Sequence, residues 1–172
     1  ASIIINEDTD SYNLTDSSSK VDNTEHGTSV AGLAALGNRL ITITPDTIEV
    51  SADANVLSIK VLDQSSGYIQ RSNIIRLIRE ANEQYGIRIF TLTITENVRA
   101  KKNNEEISRY AYLLDKISFE LDILIFVSMG NMTEDDFYNF RAGNLLAPYP
   151  EHFKLEAANL ESPAETMNNV SV

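Results

Sequence analysis

Strand-like and helix-like apolar patterns alternate through the middle of the chain, and this alternation limits the fold more than any other feature. Val56 to Leu62 reads as a strand. Ser72 can N-cap a helix whose apolar positions are Ile74, Ile75, Leu77, Ile78 and Ala81, with Gly86 placed to end it. Ile87 to Ile94 is β-branched throughout its length and reads as the next strand. Ile107, Tyr110, Ala111, Leu114, Ile117 and Leu121 then repeat at three and four residues, which predicts a second helix over Asn104–Glu120. Its start is polar and negative, as the helix dipole favours. Leu121 to Ser128 follows as a nearly continuous apolar strand, the pattern of a parallel sheet covered on both faces. The fold class expected is α/β: an open, mostly parallel sheet with crossover helices on both faces.

The ends fit the same scheme less regularly. Ser2 to Asn6 is a short β-branched run, and Glu7 to Glu25 is polar and reads as a loop. Thr28 to Leu36 has the small, apolar character of a buried helix, stopped by Gly37-Asn38. Met132 to Pro150 is irregular, and Val170-Ser171-Val172 resembles the beginning of a strand. No repeat and no linker divides the 172 residues, so 1–172 is expected to be one domain. A net charge of -11 argues against nucleic acid as the main partner. No apolar run is long enough to cross a bilayer, and the absence of cysteine leaves no disulfide or thiolate metal site. Ala1 to Ile5 reads as a chain entered in mid-strand, so missing targeting signals carry no weight. Calcium stays undecided, because Leu36 to Ile43 shows no clear run of oxygen ligands; no other cofactor is expected.

With only two histidines, His26 and His152, the options for acid–base chemistry are few. His152 lies in a polar, irregular stretch and is assigned no role. A lone His-Gly-Thr is most simply a helix start with an exposed histidine. The wider context is Asp22-Asn23-Thr24-Glu25-His26-Gly27-Thr28-Ser29-Val30-Ala31-Gly32. It resembles the histidine motif of the subtilisin-like serine proteases, the subtilases, at every defined position. The resemblance implies that His26 is the general base. Asp22 would flank the histidine loop and would not be the triad acid.

A second segment, Ser128-Met129-Gly130-Asn131, ends the last apolar strand. Alone it reads as a turn. It is similar to the family's Ala-Gly-Asn strand end, which implies that Asn131 is the oxyanion-hole donor. Met129 stands where the family has alanine. Phe90 to Thr95 falls where the family has a strand ending Asn-x-Ser-Leu-Gly, with Thr93 for the serine and Thr95 for the glycine. Ala54 to Leu62 resembles the strand ending Lys-Val-Leu. Asp63 to Gln70 would then be a loop along which an extended peptide adds to the sheet edge. The substrate-binding residues implied are Ser66, Gly67, Tyr68, Thr93, Ile94, Thr95, Ser128, Met129 and Gly130. Ser162-Pro163-Ala164 through Asn169-Val170-Ser171-Val172 resembles a further family segment.

Tyr110 to Lys116, with Phe119 to Asp122, resembles a bacterial intracellular branch often encoded beside an AAA-type ATPase. A cytoplasmic, bacterial setting is the corresponding expectation, with a peptide or protein substrate, that ATPase as a partner, and no membrane. The family's Gly-Thr-Ser nucleophile segment is absent from the sequence. Asp8-Thr9-Asp10 lacks the glycine of the family's triad-acid motif and stands close to His26. The expectation is therefore a central piece of a serine endopeptidase, inactive by itself, with the triad aspartate and serine elsewhere. The alternative is a non-catalytic subtilase-derived scaffold that binds a protein partner. The substitutions at Thr93, Thr95 and Met129 favour it.

Overall fold

The computed structural model describes residues 11–13, 21–22, 25–37, 42–43, 48–49, 54–61, 71–96, 105–131 and 159–172. The chain divides into two compact units, Ala1–Asn73 and Ile74–Val172. The expected strand at Ser2 to Asn6, the Asp8-Thr9-Asp10 segment and His152 lie outside the described residues.

In the first unit, β1 (Ser11–Asn13) pairs in parallel with β4 (Ser58–Lys60), with Tyr12 opposite Ile59. β1 falls inside the stretch expected to be loop. Ser-Tyr-Asn has no apolar alternation to announce a strand, and its order comes from the main-chain ladder to β4. β2 (Thr42–Ile43) and β3 (Ile48–Glu49) form a short antiparallel pair, which no sequence pattern had indicated. Helix α1 spans His26–Leu36. It was expected to be buried, yet Ala31 and Ala35 are its buried residues and Leu33 is 68% exposed. Two alanines four apart give a narrow contact stripe, and Leu33 lies off it.

The second unit is built on a parallel sheet in the order β5-β6-β7, from Ile89–Leu92, Leu124–Val127 and Val170–Ser171. The register sets Phe90 opposite Ile125 and Phe126 opposite Val170. This is the α/β, mostly parallel arrangement that the alternation called for. Parallel neighbours need a crossover, and α3 (Arg109–Leu121) supplies it between β5 and β6. α2 (Arg71–Tyr85) precedes β5 and buries Ile74, Leu77, Ile78 and Ala81, the i, i+3, i+4, i+7 face of the sequence. Gly86 ends it, donating its N–H to Asn82 O at 2.8 Å.

α3 begins five residues later than expected. Residues 105–108 are not helical, and Ser108 is the N-cap, its hydroxyl accepting from Ala111 N at 3.0 Å. The Asn104-Glu105-Glu106 run looked like a start, but a serine that reaches a free helical N–H outcompetes acidic residues with only the dipole to offer. Leu114, Ile117, Ile125 and Val127 are fully buried. Each such side chain contributes roughly 1.5–3 kcal/mol on leaving water. Alternate residues of the sheet differ: Ile125 and Val127 are buried, whereas Leu124 and Ile89 are exposed.

Arg79 of α2 reaches Glu120 of α3 at 2.6 Å and links the two helices. The hydrogen bond from Arg79 holds the Glu120 carboxyl below its ordinary value of 4.5. A lowered carboxylate stabilises the fold above its unfolded value and loses that contribution as pH falls through the folded one. The pair is open to solvent, so the effect is small and screened by salt.

Candidate active site

His26 occupies the first helical position of α1 and is exposed. The preceding turn shows why the motif has its residue types. Asp22 Oδ2 accepts the main-chain N–H of Thr28 at 2.7 Å, which satisfies a donor in the first turn that has no partner within the helix. A carboxylate there also meets the positive end of the helix dipole. Glu25, at the N-cap, has φ 63, and its own side chain makes no cap bond. Glu25 holds this left-handed conformation just before the helix, and the capping group is supplied by Asp22 instead. A Cβ on Gly27 would stand 3.4 Å from Asp22 Oδ2, an ordinary contact distance, so the carboxylate's approach does not itself demand glycine there. Lys60, at the end of β4, donates to Val21 O at 3.0 Å and ties the turn to the strand.

Asp22 thus caps the start of the helix that carries His26. Replacing it with alanine is expected to lower stability by about 1 kcal/mol, the usual cost of a lost helix cap. Asp22→Asn, which keeps an oxygen acceptor, should lose less. Urea unfolding of both variants checks this, and an unchanged midpoint for Asp22→Ala would remove the capping role.

The other group of candidates lies in the second unit, at the carboxyl ends of neighbouring parallel strands. Thr93, Ile94 and Thr95 leave β5, and Ser128, Met129, Gly130 and Asn131 leave β6. Ser128 N donates to Leu92 O at 2.9 Å, so the two exits start side by side. Such an edge is where open α/β sheets present their ligand groups. Asn131 is exposed, and its amide is a donor of the kind a developing oxyanion needs. Met129, where the family has alanine, is 44% exposed, while its main chain donates to Val172 O and accepts from Glu161 N at 2.8 and 3.1 Å. The substitution leaves these main-chain bonds available, because they do not involve the side chain. Ser66, Gly67 and Tyr68 lie outside the described residues.

One participant was missed. Thr95 Oγ1 donates to Glu161 Oε2, and the same carboxyl group fills the space a Cβ on Gly130 would take, 2.5 Å from Glu161 Cδ. With φ 96, Gly130 also holds a backbone conformation that side chains rarely adopt. Thr95 and Gly130, both named from sequence, therefore meet through Glu161. The only local signal was its position immediately before Ser162-Pro163-Ala164. Pro163 is fully buried and Ser162 nearly so. Glu96 N donates to Ser162 O at 2.7 Å, and Ser162 Oγ donates to Ser108 Oγ at 2.9 Å. This anchors the segment that carries Glu161 against the end of β5 and the start of α3.

Among the described residues no group of histidine, cysteine, aspartate and glutamate could hold a metal ion. No helix among them is long and apolar enough to cross a membrane. The model of the subtilase family matches residues 3–172. The chain belongs to that family. No curated protein and no solved structure matches it.

Proposed function

We propose that the chain is the central part of a serine endopeptidase catalytic domain, to which all 172 residues contribute. His26 is the general base and Asn131 an oxyanion donor, while the nucleophilic serine and the triad aspartate lie outside these residues. The observation that carries the reading is the build of the His26 turn: an exposed imidazole at the first position of α1, with its helix start fixed by Asp22. Such a side chain is reachable by substrate, and the helix start that carries it is capped, which suits general-base catalysis. The family match supports the same chemistry. Substrate is a peptide, with Ser66, Gly67, Tyr68, Thr93, Ile94, Thr95, Ser128, Met129 and Gly130 as the binding residues that the resemblance implies. The proposed reaction calls for no cofactor, and calcium is left undecided, as in the sequence. These residues alone hydrolyse no peptide bond, because an oxyanion donor cannot replace an attacking group.

The intracellular setting, in a bacterial cytoplasm with an AAA-type ATPase as partner, belongs to the same proposal. Its support is the resemblance of Tyr110 to Lys116 and Phe119 to Asp122.

Peptide hydrolysis by the full-length protein and its Asn131→Ala variant tests the oxyanion role. The loss should be about 10²–10³ in kcat with KM little changed, a scale set by subtilisin, itself a member of this family. Main-chain N–H groups would supply the remaining hydrogen bonds, so activity falls without vanishing. Full kcat in a correctly folded variant would refute the assignment. A second reading, a non-catalytic scaffold that binds a protein partner, draws on Thr93, Thr95 and Met129, which depart from the family pattern around the strand ends. It predicts no turnover by the unaltered protein under any condition that preserves its fold.

A further inference from the structure

The carboxylates of the second unit are satisfied in different ways. Glu80, Glu120 and Asp122 face arginines, and Asp115 and Glu165 accept from main-chain N–H groups. Among the described residues Glu161 has neither kind of partner. It is half-buried between the exits of β5 and β6, and its hydrogen-bond donor is the Thr95 hydroxyl. Among the described residues no lysine or arginine pairs with it. A carboxylate accepts about four hydrogen bonds, and one hydroxyl leaves most of that capacity for another donor. Partial burial makes a complementary charge more valuable there than on the open surface.

From this we infer that Glu161 is a specificity-determining residue, whose carboxylate receives the lysine or arginine side chain of a peptide seated along Ser128 to Asn131. The inference rests on the peptidase reading for the identity of that peptide. Gly130 brings the peptide's path close to the charge, since the carboxyl group lies where a Cβ would be. Thr95 orients the group from the other strand exit. The net charge of -11 draws cationic chains toward the protein before they reach the site.

A purely structural Glu161 would tie the 159–166 segment to the end of β5 through Thr95. Glu161→Gln separates the two roles, because glutamine keeps the volume and an oxygen for Thr95 but removes the charge. The test uses full-length protein and three peptides identical except for lysine, glutamine or glutamate at one position, the position being scanned along the sequence. Each is measured by cleavage, and by equilibrium binding to the His26→Ala form, which does not consume it. At one position unaltered protein should prefer lysine to glutamine by about 10- to 100-fold, the usual worth of a hydrogen bond to a charged group. Glu161→Gln should bring that ratio close to one while the melting temperature stays put. Cleavage with no preference for lysine at any position overturns the inference and leaves the peptidase reading intact. Selective binding of the lysine peptide, lost in Glu161→Gln, with no cleavage by unaltered protein supports the inference and refutes the peptidase reading. Absence of both cleavage and selective binding overturns the inference.

Discussion

Replacing His26 with alanine in the full-length protein is expected to lower kcat by about 10⁴–10⁶-fold, again on the scale set by subtilisin as a family member. The size follows from the role. A serine hydroxyl is a weak nucleophile at neutral pH, and imidazole is the side chain whose ordinary proton affinity lets it take that proton and return it to the leaving amine. His26 is one of two histidines in the chain, and the other carries no family motif. Folding should be almost untouched. The side chain is exposed, and the helix start is held by Asp22 and by Glu25 O, which accepts from Ser29 N at 3.0 Å. An exposed substitution of this kind changes stability by roughly 0.5 kcal/mol or less. A large loss of turnover with an unchanged unfolding curve is thus the signature to look for. Steady-state hydrolysis of a peptide and acylation by an activated ester would read it together. Turnover within tenfold of the unaltered protein would place the base elsewhere.

The difference between the two candidate regions explains which parts of the site could be read from sequence. The bond that closes the His26 turn joins residues six apart, Asp22 and Thr28, so its residue types and spacing travel together in the chain. Asn131 and Thr95 could be placed at strand exits for a related reason: each lies three or four residues beyond a strand whose apolar pattern is plain. The contact between Thr95 and Glu161 spans 66 residues and joins two segments that no period connects. Nothing local in Glu-Ser-Pro-Ala says which strand exit the glutamate will meet. The same distinction runs through the fold. α2 was readable because Ile74, Leu77, Ile78 and Ala81 mark one face and Gly86 supplies a stop. The start of α3 was not, because two capping signals lie close together: Ser108 wins through its bond from Ala111 N, and Glu165 Oε1, from a distant segment, adds to it by accepting from Ser108 N at 3.0 Å. β1, β2 and β3 are two or three residues each, too short for any alternation to register.

Asp115→Ala should be the most damaging single change to stability in the second unit outside its apolar core, at about 3 kcal/mol. Asp115 lies on α3 and is 8% exposed. Its Oδ1 accepts from Met167 N, Asn168 N and Asn169 Nδ2 at 3.0, 2.8 and 3.1 Å, and its Oδ2 also takes the Met167 N–H at 3.0 Å. Hydrogen bonds to a charged group contribute roughly 1.5–3 kcal/mol each, but bonds within one network are not additive. The side chains of Met167 and Asn168 are exposed, so water can reach part of the turn and the total stays well below the sum. What the carboxylate secures is the entry to β7. Ser118 Oγ donates to Asn169 Oδ1 at 2.5 Å from the next turn of α3, and Val170 then pairs with Phe126. Without the Asp115 carboxylate the turn loses its main acceptor, while the bonds from Ser118 Oγ to Asn169 and from Asn168 Nδ2 to the residue 115 main-chain oxygen remain. Asp115→Asn keeps one carbonyl oxygen and should lose about half as much. Urea unfolding gives the energies, and hydrogen exchange gives the location. The amide of Val172, bonded to Val127 O at 2.8 Å, should exchange faster in Asp115→Ala, while the amides of α2 change only as far as global stability falls. Unchanged protection at Val172 would mean that β7 is held by its ladder to β6, and that the carboxylate follows the turn instead of fixing it.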